Sequence, residues 1–147
     1  LVRHVLKKKK INIKKNIFLK EKLMKPTKIY VNEILKLINR NLLISCANIT
    51  GGGLADNVKR VIPDKLCASI DLNEIKTLKI FNWLKQNNIS DNEMLKTFNC
   101  GVGFCVIVKR KNINKIKKYF EAGFKPYEIG YISKSSNKLK LLNKIKW

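Results

Sequence analysis

The sequence is poor in arginine, histidine and acidic residues. It contains 32 lysines and arginines against 10 aspartates and glutamates, which gives a net charge of +22 at pH 7. This charge suggests a nucleic acid or an anionic membrane surface as partner. Only four residues are arginines, and arginine is the side chain that base readout and bidentate phosphate contacts favour. We therefore interpret the scattered lysines as a solvated basic surface and expect no specific nucleic-acid partner, with a basic nucleic-acid-binding module as the alternative.

Long apolar runs and paired cysteines are also missing. No apolar run approaches the roughly 20 residues that cross a bilayer, and the N-terminus lacks the order of a secretory signal, so we expect no membrane partner and a cytoplasmic location. There is one histidine, His4, and no C-x-x-C pair, so zinc-finger spacings are absent. We expect no metal site and predict that the cysteines are buried as small apolar residues. The cysteines are Cys46, Cys67, Cys100 and Cys105.

The length and the order of the predicted elements indicate one α/β domain. A chain of 147 residues is the size of one domain with its own core, so residues 1–147 are predicted to form it. Apolar β-rich runs alternate with segments of helical periodicity. This alternation favours an α/β fold, an α+β sandwich in which a mixed β-sheet is covered by helices. The predicted strands lie at residues 42–49, 66–72, 102–108 and 127–132, and the main predicted helices at 31–38, 54–62, 80–84 and 113–120.

Some segments carry more specific predictions. One helix is predicted to have a single buried stripe, which consists of Val31, Ile34, Leu35 and Ile38. Ser90 and Glu93 have the spacing of a capping box for a short helix. The lysine-rich residues 7–25 form either an extended basic loop or an amphipathic helix, and residues 133–147 are predicted to form a last strand with a loose end.

The sharpest local pattern is a run of three glycines, residues 51–53, between a predicted strand and a predicted helix. Because glycine has no Cβ, this backbone can adopt positive φ and approach a ligand closely. The free N–H groups of the first helical turn then point toward an anion, and the Thr50 hydroxyl adds a donor. The alternative is that the glycines only make a tight turn. The spacing matches neither a P-loop nor a Rossmann motif.

A second pattern, T-F-N-C-G-V-G at residues 97–103, lies between a capped helix and a buried strand. Its glycines allow close backbone approach, and Asn99 offers both a donor and an acceptor. Cys100 suggests a nucleophile. No histidine other than His4 is available to activate it, so we interpret Cys100 as a buried structural thiol.

Four segments in register resemble one known family. They are L-V-R at residues 1–3, K-P-T-K-I-Y-V at 25–31, I-T-G-G-G-L at 49–54 and T-F-N-C-G-V-G at 97–103. In this order and spacing they resemble phosphoribosylformylglycinamidine cyclo-ligase, also called aminoimidazole ribonucleotide synthetase, along nearly the whole chain. The glycine segment alone is also similar to selenophosphate synthetase and formylglycinamidine synthase, whereas T-F-N-C-G favours the cyclo-ligase.

The resemblance implies an ATP-dependent ring closure in purine biosynthesis. Formylglycinamidine ribonucleotide would be activated by ATP at its formyl oxygen and would lose phosphate as it closes to aminoimidazole ribonucleotide. Family members carry much of their ATP and Mg²⁺ apparatus in an N-terminal domain that also forms a homodimer. The chain begins at Leu1 without that domain, so we expect a C-terminal fragment that is inactive by itself.

The resemblance also assigns roles to residues. Asn99 and Gly101 would shape the substrate pocket. Asn48 stands where the family usually has a histidine. Unlike histidine, asparagine cannot take up and release a proton near neutral pH. If that histidine acts as an acid or base, this chain is impaired, and an inactive remnant of the enzyme is therefore a further alternative. The phosphate-binding residues would be Thr50, Gly51, Gly52 and Gly53.

Overall fold

The computed structural model describes residues 1–147 and contains seven α-helices and five β-strands. The helices are α1 (Val2–Lys8), α2 (Ile17–Leu23), α3 (Val31–Asn39), α4 (Gly53–Lys59), α5 (Lys79–Lys85), α6 (Asp91–Thr97) and α7 (Ile113–Ile116). The strands are β1 (Ser45–Asn48), β2 (Leu66–Asp71), β3 (Phe104–Ile107), β4 (Gly130–Lys134) and β5 (Leu139–Leu142). None of the helices combines the length and the apolar character that crossing a bilayer needs.

The strands form two small sheets. In one sheet β1 pairs antiparallel with β3, so that Ser45 lies opposite Ile107 and Asn48 lies opposite Phe104. In the other sheet β2 is central, antiparallel to β4 on one side and parallel to β5 on the other. The predicted α/β class is confirmed, and the mixed pairing belongs to the three-stranded sheet.

One apolar core joins both sheets to four of the helices. Ala47 of β1 and Ile70 of β2 pack in it with residues of α1, α4, α5 and α6. A smaller cluster lies on the other side of the β1–β3 sheet, where Leu37 of α3 and Ile116 of α7 pack together with Leu42. Because each large aliphatic side chain contributes about 1.5–3 kcal/mol when it is fully buried, these clusters hold the helices to the sheets.

The N-terminus of α6 is capped as its sequence predicts, but only on one side. The Ser90 hydroxyl accepts a hydrogen bond from the Glu93 N–H at 3.2 Å. The Glu93 carboxylate does not return to the Ser90 backbone, because it accepts a hydrogen bond from the Thr97 hydroxyl at 2.7 Å. One half of the capping box therefore forms.

The predicted buried stripe of α3 was wrong for most of its residues. The buried face of α3 consists of Glu33, Ile34 and Leu37, whereas Val31, Leu35 and Ile38 are exposed. The apolar arc of this helix is wider than the surface that covers it. The smaller cluster contacts α3 through Leu37, which was not part of the predicted stripe. This contact decides which side of the helix is buried.

The lysine-rich segment 7–25 is helical over its second half. The Asn16 side chain accepts a hydrogen bond from the Leu19 N–H at 2.9 Å and so caps α2. Leu19 is fully buried, while Ile17 remains exposed. Of the two interpretations of this segment, the amphipathic helix therefore describes residues 17–23.

The C-terminal end is docked, so the predicted loose end was wrong. Ile145 is buried in the main core. The Trp147 indole N–H donates to Asp91 Oδ1 at 2.9 Å, and the same oxygen lies 2.6 Å from Lys85 Nζ. Asp91 at the start of α6 thus joins the last residue of the chain to α5, a long-range contact that a low-complexity tail does not reveal.

We expect Asp91→Ala to lower the free energy of unfolding by about 1–2 kcal/mol, because it removes the shared acceptor of Lys85 and Trp147. Asp64→Ala is the matched control, since it removes a similar ion pair, with Lys138 at 2.9 Å, from a carboxylate whose side chain is 89% exposed, against 42% for Asp91. This control should cost less than about 0.5 kcal/mol. Urea denaturation followed by tryptophan fluorescence measures both, and equal losses would contradict the docking role of Asp91.

The same pair gives a pH dependence of known sign. The hydrogen bond from the Lys85 ammonium holds the pKa of Asp91 below its usual range. Since the pKa of Asp91 is lower in the folded state, its carboxylate stabilises the fold above the unfolded pKa of about 4. This stabilisation is lost as the pH falls through the pKa of the folded state. The stability difference between the wild type and Asp91→Ala should therefore shrink in acid.

Candidate functional site

The glycine segment forms a short loop between β1 and α4. Ile49 is buried, and its N–H donates to the Gly103 carbonyl at 3.0 Å, which fixes the start of the loop against the residue that precedes β3. Gly52 and Gly53 have φ values of +91° and +65°. L-residues with side chains rarely adopt this left-handed conformation, so the two glycines allow the chain to turn directly from the strand into the helix.

Gly53 lies where the loop contacts α6. A Cβ at this position would overlap the carbonyl oxygen of Leu95 and would lie 3.2 Å from that of Phe98. The backbone of the loop therefore packs directly on the C-terminal end of α6. This close approach brings the glycine loop next to the second glycine motif.

The second motif forms a tight turn between α6 and β3. The Asn99 side-chain oxygen accepts a hydrogen bond from the Gly101 N–H at 3.1 Å, and its backbone carbonyl accepts one from the Val102 N–H at 2.8 Å. Cys100 and Gly101 both have positive φ, at +49° and +107°. A Cβ on Gly101 would lie 2.6 Å from the Lys76 carbonyl oxygen, so this glycine allows the turn to pack against the segment before α5.

A cleft of about 290 Å³ lies between the two motifs. Its lining residues are Ile49, Thr50, Phe81, Thr97, Phe98 and Asn99. Phe81 of α5 and Phe98 form one apolar wall, with ring centroids 5.8 Å apart at an angle of 52°. The sequence assigned Phe81 only to a helical core face, because its periodicity is that of a packing residue. Only its proximity to Phe98 identifies it as part of the cleft.

Only some of the predicted site residues line this cleft. Thr50 and Asn99 line it, and the three glycines form the loop that follows Thr50. Asn48 is exposed at the end of β1, opposite Phe104. Gly101 is not among the lining residues and packs on Lys76 instead.

The loop presents free backbone donors. The N–H groups of Thr50, Gly51 and Gly52 have no acceptor within the protein. The Thr50 hydroxyl, which the sequence suggested as a further donor, donates to the Asn57 side-chain oxygen at 3.4 Å. Since α4 has only seven residues, the loop amides and not the dipole of a long helix supply the positive ends of this site.

Charges of both signs flank the loop. The Asp56 carboxylate oxygen lies 3.0 Å from the position that a Cβ on Gly52 would occupy. The guanidinium of Arg60 is exposed and lies 3.5 Å from the Asn57 side-chain oxygen. An acidic and a basic side chain therefore both lie beside the loop.

The cysteine near the cleft has the properties of a packing residue. Cys100 is 2% exposed, and burial raises the pKa of its thiol to about 12. A thiol with this pKa is protonated at neutral pH and is a poor nucleophile. Cys67 is also buried, as predicted, whereas Cys46 and Cys105 are only partly buried at the β1–β3 sheet.

One protein family matches a stretch of the chain that contains both the glycine loop and the T-F-N-C-G turn. Residues 1–141 match the family described as AIR synthase related protein, C-terminal domain. The chain belongs to the AIR synthase related family. The resemblance predicted from the four sequence segments is thereby confirmed, and so is the fold class that it implied.

Curated relatives of this AIR synthase related domain include bacterial and yeast proteins. The chain is 41% identical over 120 residues to the phosphoribosylformylglycinamidine cyclo-ligase of Streptococcus agalactiae, which is 81% of this chain and 35% of the relative. It is 42% identical over 112 residues to the bifunctional purine biosynthetic protein PUR2,5 of Pichia angusta, which is 75% of this chain and 14% of that protein. The chain thus spans about a third or less of the length of these relatives.

The packing of the loop predicts opposite outcomes for two neighbouring glycines. Gly53→Ala should destabilise the domain by more than about 2 kcal/mol, because it combines left-handed backbone strain with overlap on the Leu95 carbonyl. Gly51→Ala is the matched control, since a Cβ on Gly51 meets nothing within 4 Å and its φ is not positive. Its effect should stay within about 1 kcal/mol and can be stabilising. Thermal denaturation compares the two, and similar losses would contradict the proposed contact.

Proposed function

We propose that this chain supplies the C-terminal part of the active site of a phosphoribosylformylglycinamidine cyclo-ligase. The enzyme would use ATP to close formylglycinamidine ribonucleotide to aminoimidazole ribonucleotide in purine biosynthesis. The observation that carries the proposal is that the two motifs that resemble the family meet at one cleft, with Thr50 of the first and Asn99 of the second in its lining. The 41% identity to the Streptococcus agalactiae cyclo-ligase supports the same assignment.

The glycine loop suits the phosphate chemistry of this reaction. Ring closure forms a bond from the ring nitrogen to the formyl carbon, while the bond to the activated formyl oxygen breaks and phosphate leaves. Backbone N–H groups aimed at a fixed position stabilise negative charge on phosphate oxygens without reorganisation. Thr50, Gly51 and Gly52 supply such N–H groups, and Gly53 seats the loop. The anion is either the ribose 5′-phosphate or the phosphoryl group in transfer.

The cleft suits the remainder of the substrate. Phe81 and Phe98 provide an apolar wall against which a flat amidine can pack. Because the Asn99 oxygen is bonded within its own turn, its amide nitrogen remains as a donor toward the cleft. Gly101 shapes the pocket indirectly, since it allows the turn that presents Asn99.

ATP and Mg²⁺ would be bound mainly outside this chain. Magnesium prefers carboxylate and phosphate oxygens, and none of the six lining residues has a carboxylate. No group of three or more histidine, cysteine or acidic side chains in residues 1–147 is placed to hold a metal ion. We propose that an N-terminal domain supplies these ligands and forms the homodimer. We also propose that the protein acts in the cytoplasm and that the chain has no specific nucleic-acid partner.

A fusion protein tests the proposal. The chain would be joined at Leu1 to the N-terminal domain of the Streptococcus agalactiae cyclo-ligase. We expect the chain alone to show no ATP hydrolysis or ring closure, and the fusion to form aminoimidazole ribonucleotide, measured by mass spectrometry. The intact bacterial enzyme is the positive control. If the folded fusion forms no product, either with Asn48 or with histidine at that position, the proposed catalytic role of the chain is wrong. Turnover by the chain alone would contradict the proposal that an N-terminal domain binds ATP and Mg²⁺.

Asn48→His separates an impaired enzyme from a working one. Asn48 ends β1 beside the loop and is exposed, so its replacement should change stability little. If the position carries a proton in the reaction, we expect the substitution to raise kcat of the fusion about 10²-fold, the lower end of general acid–base contributions. Single-turnover kinetics measures this step. Equal kcat for both active forms would show that a hydrogen-bonding side chain is sufficient.

A further inference from the structure

Asn57 is a polar residue on the apolar face of α4. It lies between Leu54 and Val58 in the buried stripe of this helix and is itself only 5% exposed. A buried amide costs free energy unless its donors and acceptor are bonded. An aliphatic side chain would suit the packing of this face, so the partners of Asn57 have to explain the amide.

Those partners are the carbonyl groups of the glycine loop. The Asn57 amide nitrogen lies 2.7 Å from the Gly53 carbonyl oxygen, 3.2 Å from that of Gly51 and 3.3 Å from that of Thr50. Since the amide has two hydrogens, at least one of them is shared between two carbonyls. Its side-chain oxygen accepts from the Thr50 hydroxyl at 3.4 Å and from the Arg60 guanidinium at 3.5 Å. One side chain therefore bonds to three of the four residues of the loop.

These bonds decide which way the loop N–H groups point. In a trans peptide the C=O of one residue and the N–H of the next point in opposite directions. The Gly51 carbonyl is bonded to Asn57, and the Thr50 carbonyl is bonded both to Asn57 and to the Gly53 N–H at 3.1 Å. Because both carbonyls point toward Asn57, the N–H groups of Gly51 and Gly52 are turned away from it. These two N–H groups have no acceptor within the protein.

We propose that Asn57 is the positioning residue of the glycine loop, which gathers the loop carbonyls on the buried side so that the N–H groups of Gly51 and Gly52 face outward to bind a phosphate-like anion. The inference rests on the proposed function, in which this loop binds phosphate. Asn57 does not touch the anion. It acts through the backbone that it holds.

Asn57→Leu tests this role, because leucine keeps the shape of the side chain and removes its hydrogen bonds. The control is Asn87→Leu. The Asn87 amide also donates to the carbonyl four residues earlier, that of Trp83 at 2.6 Å, but at the end of α5 away from the loop. Inorganic phosphate is the probe, and the NMR signals of the Gly51 and Gly52 amides report its binding at constant pH and ionic strength.

We expect phosphate to shift both glycine signals in the wild type. The dissociation constant should rise at least about tenfold in Asn57→Leu and change less than about twofold in Asn87→Leu, although both variants lose stability. Wild-type binding by Asn57→Leu would overturn the role of Asn57 and leave the phosphate loop standing. An equal loss in both variants would show a general effect of destabilisation and would also overturn it. No phosphate-dependent shift in the wild type would overturn the phosphate loop together with this inference.

Asn57→Asp provides the test if Asn57→Leu does not fold. An ionised carboxylate accepts but cannot donate to the loop carbonyls, whereas a protonated carboxyl donates one hydrogen bond again. Sulfate replaces phosphate as probe, because its charge is constant between about pH 7 and pH 4.5. Burial at this position should raise the pKa of the aspartate from about 3.9 into that range, so the aspartate titrates while the probe does not. We expect weak sulfate binding at neutral pH and partial recovery in acid. Binding equal to that of the wild type at neutral pH would overturn the proposal.

Discussion

The candidate site depends on one close backbone contact, between Gly53 and the carbonyl of Leu95. Any side chain at Gly53 would overlap that carbonyl oxygen, and its φ of +65° is one that other residues rarely adopt. The contact seats the glycine loop on the end of α6, at the point where the chain enters the T-F-N-C-G turn. Thr50 and Asn99 are far apart in sequence and line one cleft because these two backbones meet.

A loop that binds an anion has to leave N–H groups unpaired while its other polar groups are bonded. In this chain the two sides of the loop are treated differently. The carbonyls of Thr50, Gly51 and Gly53 bond to Asn57. The N–H groups of Thr50, Gly51 and Gly52 have no acceptor within the protein. Under the proposed function, this asymmetry and not the net charge of +22 would make the loop specific for its anion, since lysines spread over a whole surface select no particular anion.

Parts of the site with a local cause could be predicted from the sequence. Consecutive glycines between a β-rich run and a helical period indicate a strand-to-helix turn, and the structure has that turn at Gly52. Phe81 and Asn57 could not be predicted in the same way. Phe81 has the periodicity of a core residue, and Asn57 lies on a buried helix face where no pattern distinguishes a structural amide from a misplaced polar residue. Their roles follow only from Phe98 and from the loop carbonyls that they contact.

By itself the sequence determined the family, the α/β alternation and the two glycine motifs, because each of these is recorded in residues that are close together along the chain. The tertiary structure decided that the strands form two sheets, that α3 buries Leu37 rather than Leu35, and that Trp147 docks on Asp91. It also decided that the two motifs share a cleft. The physical reason is the same in every case. These features depend on packing and hydrogen bonds between residues distant in sequence, and the free energy of such contacts leaves no periodic pattern in either segment alone.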